Sequence, residues 1–356
     1  FRSGYSCESQ LITTAHDRLG KFDAGAQIDM VILDFSKAFD TVPHRKLLHK
    51  MKLYGVNSKI NAWLCDFLTR KMKVVVDGEE SDAVTVDSGV PQGTVLGPLL
   101  FLCHINDLPD TVKSTVRLFA DDCLLYRPIR AASDHIALQN DLQQLEIWAK
   151  TWGMRFNAKK CYIMSINSKS SHFYQLGDHI LQQVPENPYL GITLSEDLKW
   201  GSHISKITKK ANSTLGFLRR NLKHCPPSCR RTAYLSLIRS TLEYSSIVWD
   251  PHLQKDIDKF EKVQRQAARF ITGDYSSRDQ GCVTRMLQDL ALPSLHDRRK
   301  TNRLIFFYKV VEGLVPALQC HDILTPVRGK RQIKTRQYTD FVTSNIFESQ
   351  STNNSK

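Results

Sequence analysis

The sequence predicts an α+β fold, in which a first part mixing short strands with helices is followed by a second part that is helical throughout. Three observations carry this. Apolar runs such as Asp29-Met-Val-Ile-Leu-Asp-Phe35 are too short for helices and rich in branched residues. Segments with apolar residues at helical spacing lie between such runs, and after Trp200 only helical spacing remains. Composition is that of an ordinary globular chain, with 41% hydrophobic and 24% charged residues over 356 positions, so disorder is not the default.

The first strand ends in an acid, Asp34. Pro43 suits the first position of a helix carrying Leu47, Leu48, Met51 and Leu53, which stops near Gly55. A second helix is expected from Lys59 to Leu68. Val74, Val75 and Val76, then Val84 and Val86, flank Asp77-Gly-Glu-Glu80 and predict a hairpin. It leads into the Gly-rich loop Ser88-Gly-Val-Pro-Gln-Gly-Thr94 and a buried helix from Val95 to Asn106. Ser114 to Tyr126 reads as a second hairpin with Ala120-Asp121-Asp122 at its tip. A helix from Ala132 to Trp152, a strand from Cys161 to Ile166 and a short hairpin ending at Tyr189-Leu-Gly-Ile192 follow. Helices are expected from His203 to Leu222, Ser228 to Tyr244, Lys255 to Ile271 and Leu295 to Val311, with a domain boundary near Lys199 and no internal repeat.

Charge is unevenly placed. The chain has 49 Lys+Arg against 36 Asp+Glu, a net +13. Between Lys199 and Arg269 there are 15 basic residues against 5 acidic ones, so a polyanionic partner is expected for the helical part. Solvated helix faces are the plainer reading of the same excess. The 9 cysteines are odd in number and scattered, as reduced core thiols of an intracellular protein would be, and no disulfide-linked partner is expected. Cys225-Pro-Pro-Ser-Cys229 lacks a second pair at ligand spacing and reads as a turn between helices. No segment reaches the roughly 18 apolar residues of a membrane span, and no membrane partner is expected. Both ends, at Phe1 and in the polar run Glu348 to Lys356, read as cuts in a longer chain.

The acids carry the chemistry. A carboxylate at the end of a buried strand loses hydration unless something compensates it. Asp34 and the Asp121-Asp122 pair are placed in this way. Each alone reads as a polar turn residue. Brought together, they suit hard divalent cations held by carboxylates and substrate phosphates, the arrangement that serves in-line phosphoryl displacement.

The series Phe1-Arg-Ser-Gly-Tyr-Ser6, Asp34-Phe-Ser-Lys-Ala-Phe-Asp40, Ser88-Gly-Val-Pro-Gln-Gly-Thr94, Phe119-Ala-Asp-Asp122, Asn157-Ala-Lys-Lys-Cys161 and Tyr189-Leu-Gly-Ile192 resembles the ordered motifs of reverse transcriptases. In detail it is most similar to jockey-like non-LTR (LINE) retrotransposons, as are Leu242-Glu-Tyr244 and Val248-Trp-Asp-Pro251 further on.

The resemblance implies a right-hand polymerase: residues 1–28 a remnant of the fingers, 29–199 a palm with an antiparallel sheet and helices, 200–313 a helical basic thumb and connection, and 314–356 a poorly structured tail. It implies RNA-directed DNA polymerase activity, with RNA template, DNA primer and deoxynucleoside triphosphates as partners, and an intracellular ribonucleoprotein of nucleus and cytoplasm. Asp34, Asp121 and Asp122 would hold two Mg²⁺ ions, with Mn²⁺ as a substitute. Lys160, or Lys159 beside it, would be the lysine near the leaving pyrophosphate. Phe39 would be the gate against a 2′-OH, with an ordinary core Phe as the alternative. Gln92 and Gly93 would lie against template and nucleotide, and Arg2 is a weaker nucleotide-binding candidate. Lys209, Lys210, Arg219 and Arg220 are the candidate contacts to the nucleic-acid backbone. Asp40 is expected to cap the turn before Pro43 and to stand outside the metal site. A family fingers segment would lie upstream of Phe1, so weak activity is expected of this span alone. The rival reading is a catalytically inactive nucleic-acid-binding relic.

Overall fold

The computed structural model describes residues 4–23, 25–251, 253–319, 324–326 and 341–343. It forms two compact units, one around residues 21–186 and one made of residues 4–20 together with residues from 187 onward. The described helices are α1 (Cys7–Asp23), α2 (His44–Leu53), α3 (Ser58–Leu68), α4 (Leu96–Ile105), α5 (Ala132–Trp152), α6 (Gly201–Asn221), α7 (Pro227–Ala233), α8 (Ser240–Glu243), α9 (Gln254–Thr272), α10 (Cys282–Asp289) and α11 (Leu295–Val311).

The first unit is built on a sheet of β1 (Gln27–Leu33), β2 (Thr115–Phe119), β3 (Asp122–Ile129), β4 (Tyr162–Ile166) and β5 (Gln182–Gln183), in the spatial order β5-β4-β1-β3-β2. The pairings are antiparallel except that β5 runs parallel to β4. The sheet is therefore mixed, not purely antiparallel as expected, because the intervening residues 167–181 are long enough to carry the chain back to the start of β4. All residues of β1 are buried, which explains a continuous apolar run in place of alternation. Val31, Leu33, Cys123, Leu125 and Ile163 of the sheet share one core with Leu47 of α2, Leu64 of α3, Phe101 of α4 and Leu142 of α5.

Two buried polar groups are compensated within this unit. Lys50 of α2 is almost fully enclosed, pairs with Asp107, and stands 3.9 Å from the centre of the Trp152 ring and 4.9 Å from that of Trp148. Asp29 of β1 accepts from Tyr174 Oη at 2.6 Å and Gln27 Nε2 at 2.9 Å. The valine hairpin forms as two short ladders, Lys71–Met72 with Val84–Thr85 and Val75–Val76 with Glu79–Glu80, and Val74, Val75, Val76 and Val84 are exposed.

In the second unit α6 and α9 pack together, with Leu215, Leu218, Phe260, Val263 and Ala267 buried. Trp249 lies against Phe260 at 5.3 Å, and the buried Arg299 is paired with Asp250. The helix begun by α7 passes through a π-helical stretch, Tyr234–Arg239, before α8. Tyr234 donates there to Gln264 Oε1 at 2.8 Å, and Glu243 beyond it accepts from Arg298 Nη2 at 2.9 Å. Helix α1 packs in this unit, with Gln10 Nε2 donating to Tyr189 Oη at 3.2 Å and Arg18 Nη2 to the Ser195 carbonyl at 3.1 Å.

Three sequence expectations change here. The chain changes unit at Asn187, earlier than Lys199, because the hairpin Glu186–Ser195 contacts α1 and α6. Residues 314–318 are not tail, since Val315 and Leu318 are buried with Ile12, Phe306 and Val310. The thiols are not mostly core groups: Cys123, Cys161 and Cys282 are buried, Cys65 and Cys229 are exposed, and Cys7, Cys103 and Cys225 lie between. Cys320 falls outside the described residues. Among the described residues no helix is long and apolar enough to cross a membrane.

Candidate active site

Strand pairing gathers the acids. Phe119 pairs with Asp122, so Ala120 and Asp121 form the two-residue turn between β2 and β3. Ala120 has φ +51°, the left-handed conformation that such a turn demands and that glycine or asparagine adopts more easily. In the β1–β3 ladder Leu33 faces Cys123, and one step further along the same register sets Asp34 against Asp122. Loss of hydration at this turn, then the charges of Asp121 and Asp34, push the Asp122 carboxyl up to about 6, although its side chain reaches solvent. The three carboxylates are thus electrostatic neighbours despite their separation in sequence.

Asp34 is held by its backbone. Its N–H points to Cys161 Sγ at 3.5 Å, and its carbonyl accepts the Asn157 N–H at 2.7 Å. The turn anchored in this way carries Lys160, whose Nζ stands 3.5 Å from Asp34 Oδ2. Lys159 is exposed and has no ion pair among the described residues. Of the two lysines left open by the sequence, Lys160 is the one at the acid.

The donor chemistry fits a hard divalent cation. Burial pushes the Cys161 thiol up to about 11 and raises that of Cys123 as well, so both stay protonated and the available donors are carboxylate oxygens. Loss of hydration raises Asp122 most, and the repulsion by Asp121 and Asp34 that adds to it is the surplus a cation would neutralise. Among the described residues, no three His, Cys, Asp or Glu groups stand in ready-made ligand geometry.

The loop at residues 88–94 is bonded to the segment Phe39–Val42 that follows Asp34 in the chain. Phe39 is half-buried and stacks on Phe101 of α4 with centroids 4.4 Å apart, so a face of its ring is held against the core while part of the side chain stays open. The Val90 N–H donates to the Phe39 carbonyl at 2.8 Å, and Ser88 Oγ to the Asp40 carbonyl at 3.0 Å. Gly89, at φ +92°, lies so close that a Cβ would meet the Asp40 carbonyl oxygen at 2.9 Å. Gln92 and Gly93 are exposed at the loop's crest. The expectation that Asp40 caps the turn before Pro43 is corrected. Pro43 itself is the N-cap of α2, without a side-chain cap, and the Asp40 carboxylate accepts from Gln92 Nε2 at 2.9 Å.

The basic candidates sort differently from the sequence reading. Lys209, Lys210 and Arg220 are exposed on α6. Arg219 is engaged in structure: its Nη2 donates to the Gln266 carbonyl at 3.1 Å and its guanidinium lies 5.6 Å from the Tyr275 ring centre. Arg230 likewise donates to the Phe270 carbonyl at 2.8 Å, and Arg269 to those of Asp274 and Ser277. Several cations counted in the local excess therefore satisfy carbonyls near the end of α9, where the helix dipole favours them. Arg2 lies outside the described residues.

Residues 2–194, which carry the acid-tipped hairpin and its central strand, match the family described as "Reverse transcriptase (RNA-dependent DNA polymerase)". The chain belongs to that family. It is 29% identical to the "Probable RNA-directed DNA polymerase from transposon BS" of Drosophila melanogaster, across 76% of this chain and 32% of that protein. It is also 29% identical to the "RNA-directed DNA polymerase from mobile element jockey" of the same organism, across 75% of this chain and 30% of that protein. The resemblance to non-LTR retrotransposon polymerases holds. The chain spans about a third of the length of these relatives. A solved telomerase from Candida tropicalis is similar at a TM-score of 0.45 and 10% identity, covering 84% of this chain and 51% of that one, too low to place residues.

Proposed function

We propose that the chain extends a DNA 3′-OH on an RNA template by nucleotidyl transfer, with the sheet unit as palm and the helical unit as thumb and connection. The observation that carries this is the convergence of Asp34, Asp121 and Asp122 at the ends of adjacent strands, with Lys160 at 3.5 Å from Asp34.

In this reading, Asp34 and Asp121 are the principal ligands and Asp122 the supporting one for two Mg²⁺ ions. When bound, these ions would supply charge neutralisation for the attacking 3′ oxygen and the triphosphate. Lys160 brings an ammonium to the side of Asp34 from which pyrophosphate leaves and donates a proton or a charge-assisted hydrogen bond to it. Phe39, held against Phe101, turns the exposed part of its side chain to the sugar and excludes a 2′-OH. Gln92 and Gly93 offer a side-chain amide and an unhindered backbone to the template-nucleotide pair. Lys209, Lys210 and Arg220 contact backbone phosphates.

Primer extension on an RNA template, with and without Mg²⁺, tests the reading. Asp121→Asn keeps the size of the side chain but removes its charge. It is expected to fold, to bind template-primer, and to lose synthesis by roughly a hundredfold or more, the order of effect seen when electrostatic stabilisation of a transition state is removed. Near-parental extension by a folded Asp121→Asn protein would sink the catalytic assignment.

A further inference from the structure

We infer that Asp40 is a positioning residue that aims Gln92 at the incoming base pair and ties that loop to the sugar gate. The inference rests on the polymerase reading above and adds a residue to it.

The two residues are 52 positions apart and meet through Gln92 Nε2 donating to Asp40 Oδ1 at 2.9 Å. That bond fixes the orientation of the amide. With its NH₂ group committed to a carboxylate, Gln92 presents the carbonyl oxygen Oε1 outward, and Oε1 can only accept. Without Asp40 the amide turns freely, and either end faces the ligand.

The surrounding bonds make Asp40 more than a surface partner. The Phe39 and Asp40 carbonyls accept from Val90 N–H and Ser88 Oγ, and Gly89 N–H donates to the Val42 carbonyl at 2.8 Å. His44 Nε2 lies 2.7 Å from the Gly89 carbonyl, joining the same loop to the start of α2. Backbone bonds therefore hold the base of the loop, and the Asp40 carboxylate holds its crest. Because Phe39 immediately precedes Asp40, the gate ring and the aimed amide share one short rigid segment. A shift of one is transmitted to the other.

Both side chains are exposed in the free protein, where an exposed hydrogen bond contributes little to stability. Its effect belongs to the bound state, when nucleotide and template exclude water from the crest. Asp40 is not among the acids whose charge raises Asp122, and no metal is assigned to it.

The experiment compares Asp40→Ala, Asp40→Asn and Gln92→Ala with the parent protein in two measurements. Single-nucleotide insertion should show Asp40→Ala raising KM for deoxynucleotide about tenfold, the factor that 1.4 kcal/mol corresponds to, with kcat changed far less. Asp40→Asn keeps an acceptor oxygen and should recover most of the loss, and Asp40→Ala combined with Gln92→Ala should be no worse than Gln92→Ala alone. Amide hydrogen exchange of residues 88–94 should accelerate in Asp40→Ala and return towards parental rates in Asp40→Asn, with unchanged unfolding midpoints.

Additive losses in the double variant, or unaltered exchange at the crest, would overturn the inference while leaving the polymerase assignment intact. A parent protein that does not extend primers overturns the polymerase reading instead, and the exchange measurement still decides whether Asp40 orders the loop.

Discussion

Lys160 Nζ stands 3.5 Å from Asp34 Oδ2, while its neighbour Lys159 has no acidic partner among the described residues. The short 3₁₀ turn Ala158–Lys160 accounts for the difference, since it follows the Asn157 N–H bond to the Asp34 carbonyl and brings its last residue back over the acid. Lys160→Ala should therefore lower the rate of the chemical step by roughly a hundredfold, at the lower end of what proton transfer by a positioned side chain contributes. Lys159→Ala should stay within about twofold of the parent, as expected of a solvated lysine. Rapid-quench single-turnover kinetics of both variants checks this, and equal losses would remove Lys160 from its assigned place.

Phe39→Ala should admit a ribose hydroxyl. Ribonucleotide incorporation relative to deoxynucleotide is expected to rise by about tenfold to a few hundredfold, corresponding to ~1–3 kcal/mol of pocket discrimination. The stacking of Phe39 on Phe101 adds a structural cost, so the variant should also lose about 1–2 kcal/mol of stability in urea. A variant that loses stability but keeps its sugar preference would place Phe39 among ordinary core aromatics.

The basic residues of α6 separate into two experimental classes. Neutralising Lys209, Lys210 and Arg220 together should weaken binding to RNA/DNA duplex without changing the stability of the fold. The log-log salt dependence should flatten by about 0.7 to 0.9 for each phosphate that is no longer neutralised. Arg219→Ala should do the reverse, costing ~1 kcal/mol of stability by removing the bond to the Gln266 carbonyl while leaving the salt slope near its parental value. A titration series from low to moderate salt, paired with urea unfolding, distinguishes them.

His203 provides a pH-dependent test of the helical unit. Its Nδ1 accepts the Thr193 N–H at 3.2 Å, its ring is buried against Trp249, and burial followed by the Lys206 charge lowers it to about 4. An unfolded histidine titrates near 6.5, so the unfolded chain takes up the proton first. The contribution is full above about pH 6.5 and is lost as the pH falls towards 4, reaching about 2 kcal/mol by pH 5. His203→Phe should reduce the acid-induced loss of unfolding free energy by about that amount. An unchanged pH dependence would show that His203 protonates in the folded state.

Much of this site could be read from the sequence because its logic is local. Asp34 and Asp122 stand at strand ends that apolar run length defines, and the two-residue turn at Ala120-Asp121 follows from the strand-like runs on either side of it. Long-range side-chain pairings were not readable in this way. The Asp40–Gln92 bond joins two exposed polar residues, and nothing in either neighbourhood signals the other. Arg219, Arg230 and Arg269 look like any solvated arginine until the carbonyls they meet are known. Helix α1 leaves only a weak trace in the sequence because its buried face mixes Leu11 and Ile12 with the polar Ser9, Thr14 and Arg18, which blurs the apolar period.

The π-helical stretch Tyr234–Arg239 has a consequence for how this helix tolerates changes of length. In an α-helix each added residue turns everything beyond it by about 100°. The wider stretch holds one residue more than regular winding would, and Leu242 still reaches the core while Glu243 still reaches Arg298. Removing a single residue between Tyr234 and Arg239 would let the backbone relax to regular winding without turning those side chains away. The same deletion within α6 or α9 would rotate half of a buried face into water, so this short stretch should tolerate a loss of length that those two helices do not.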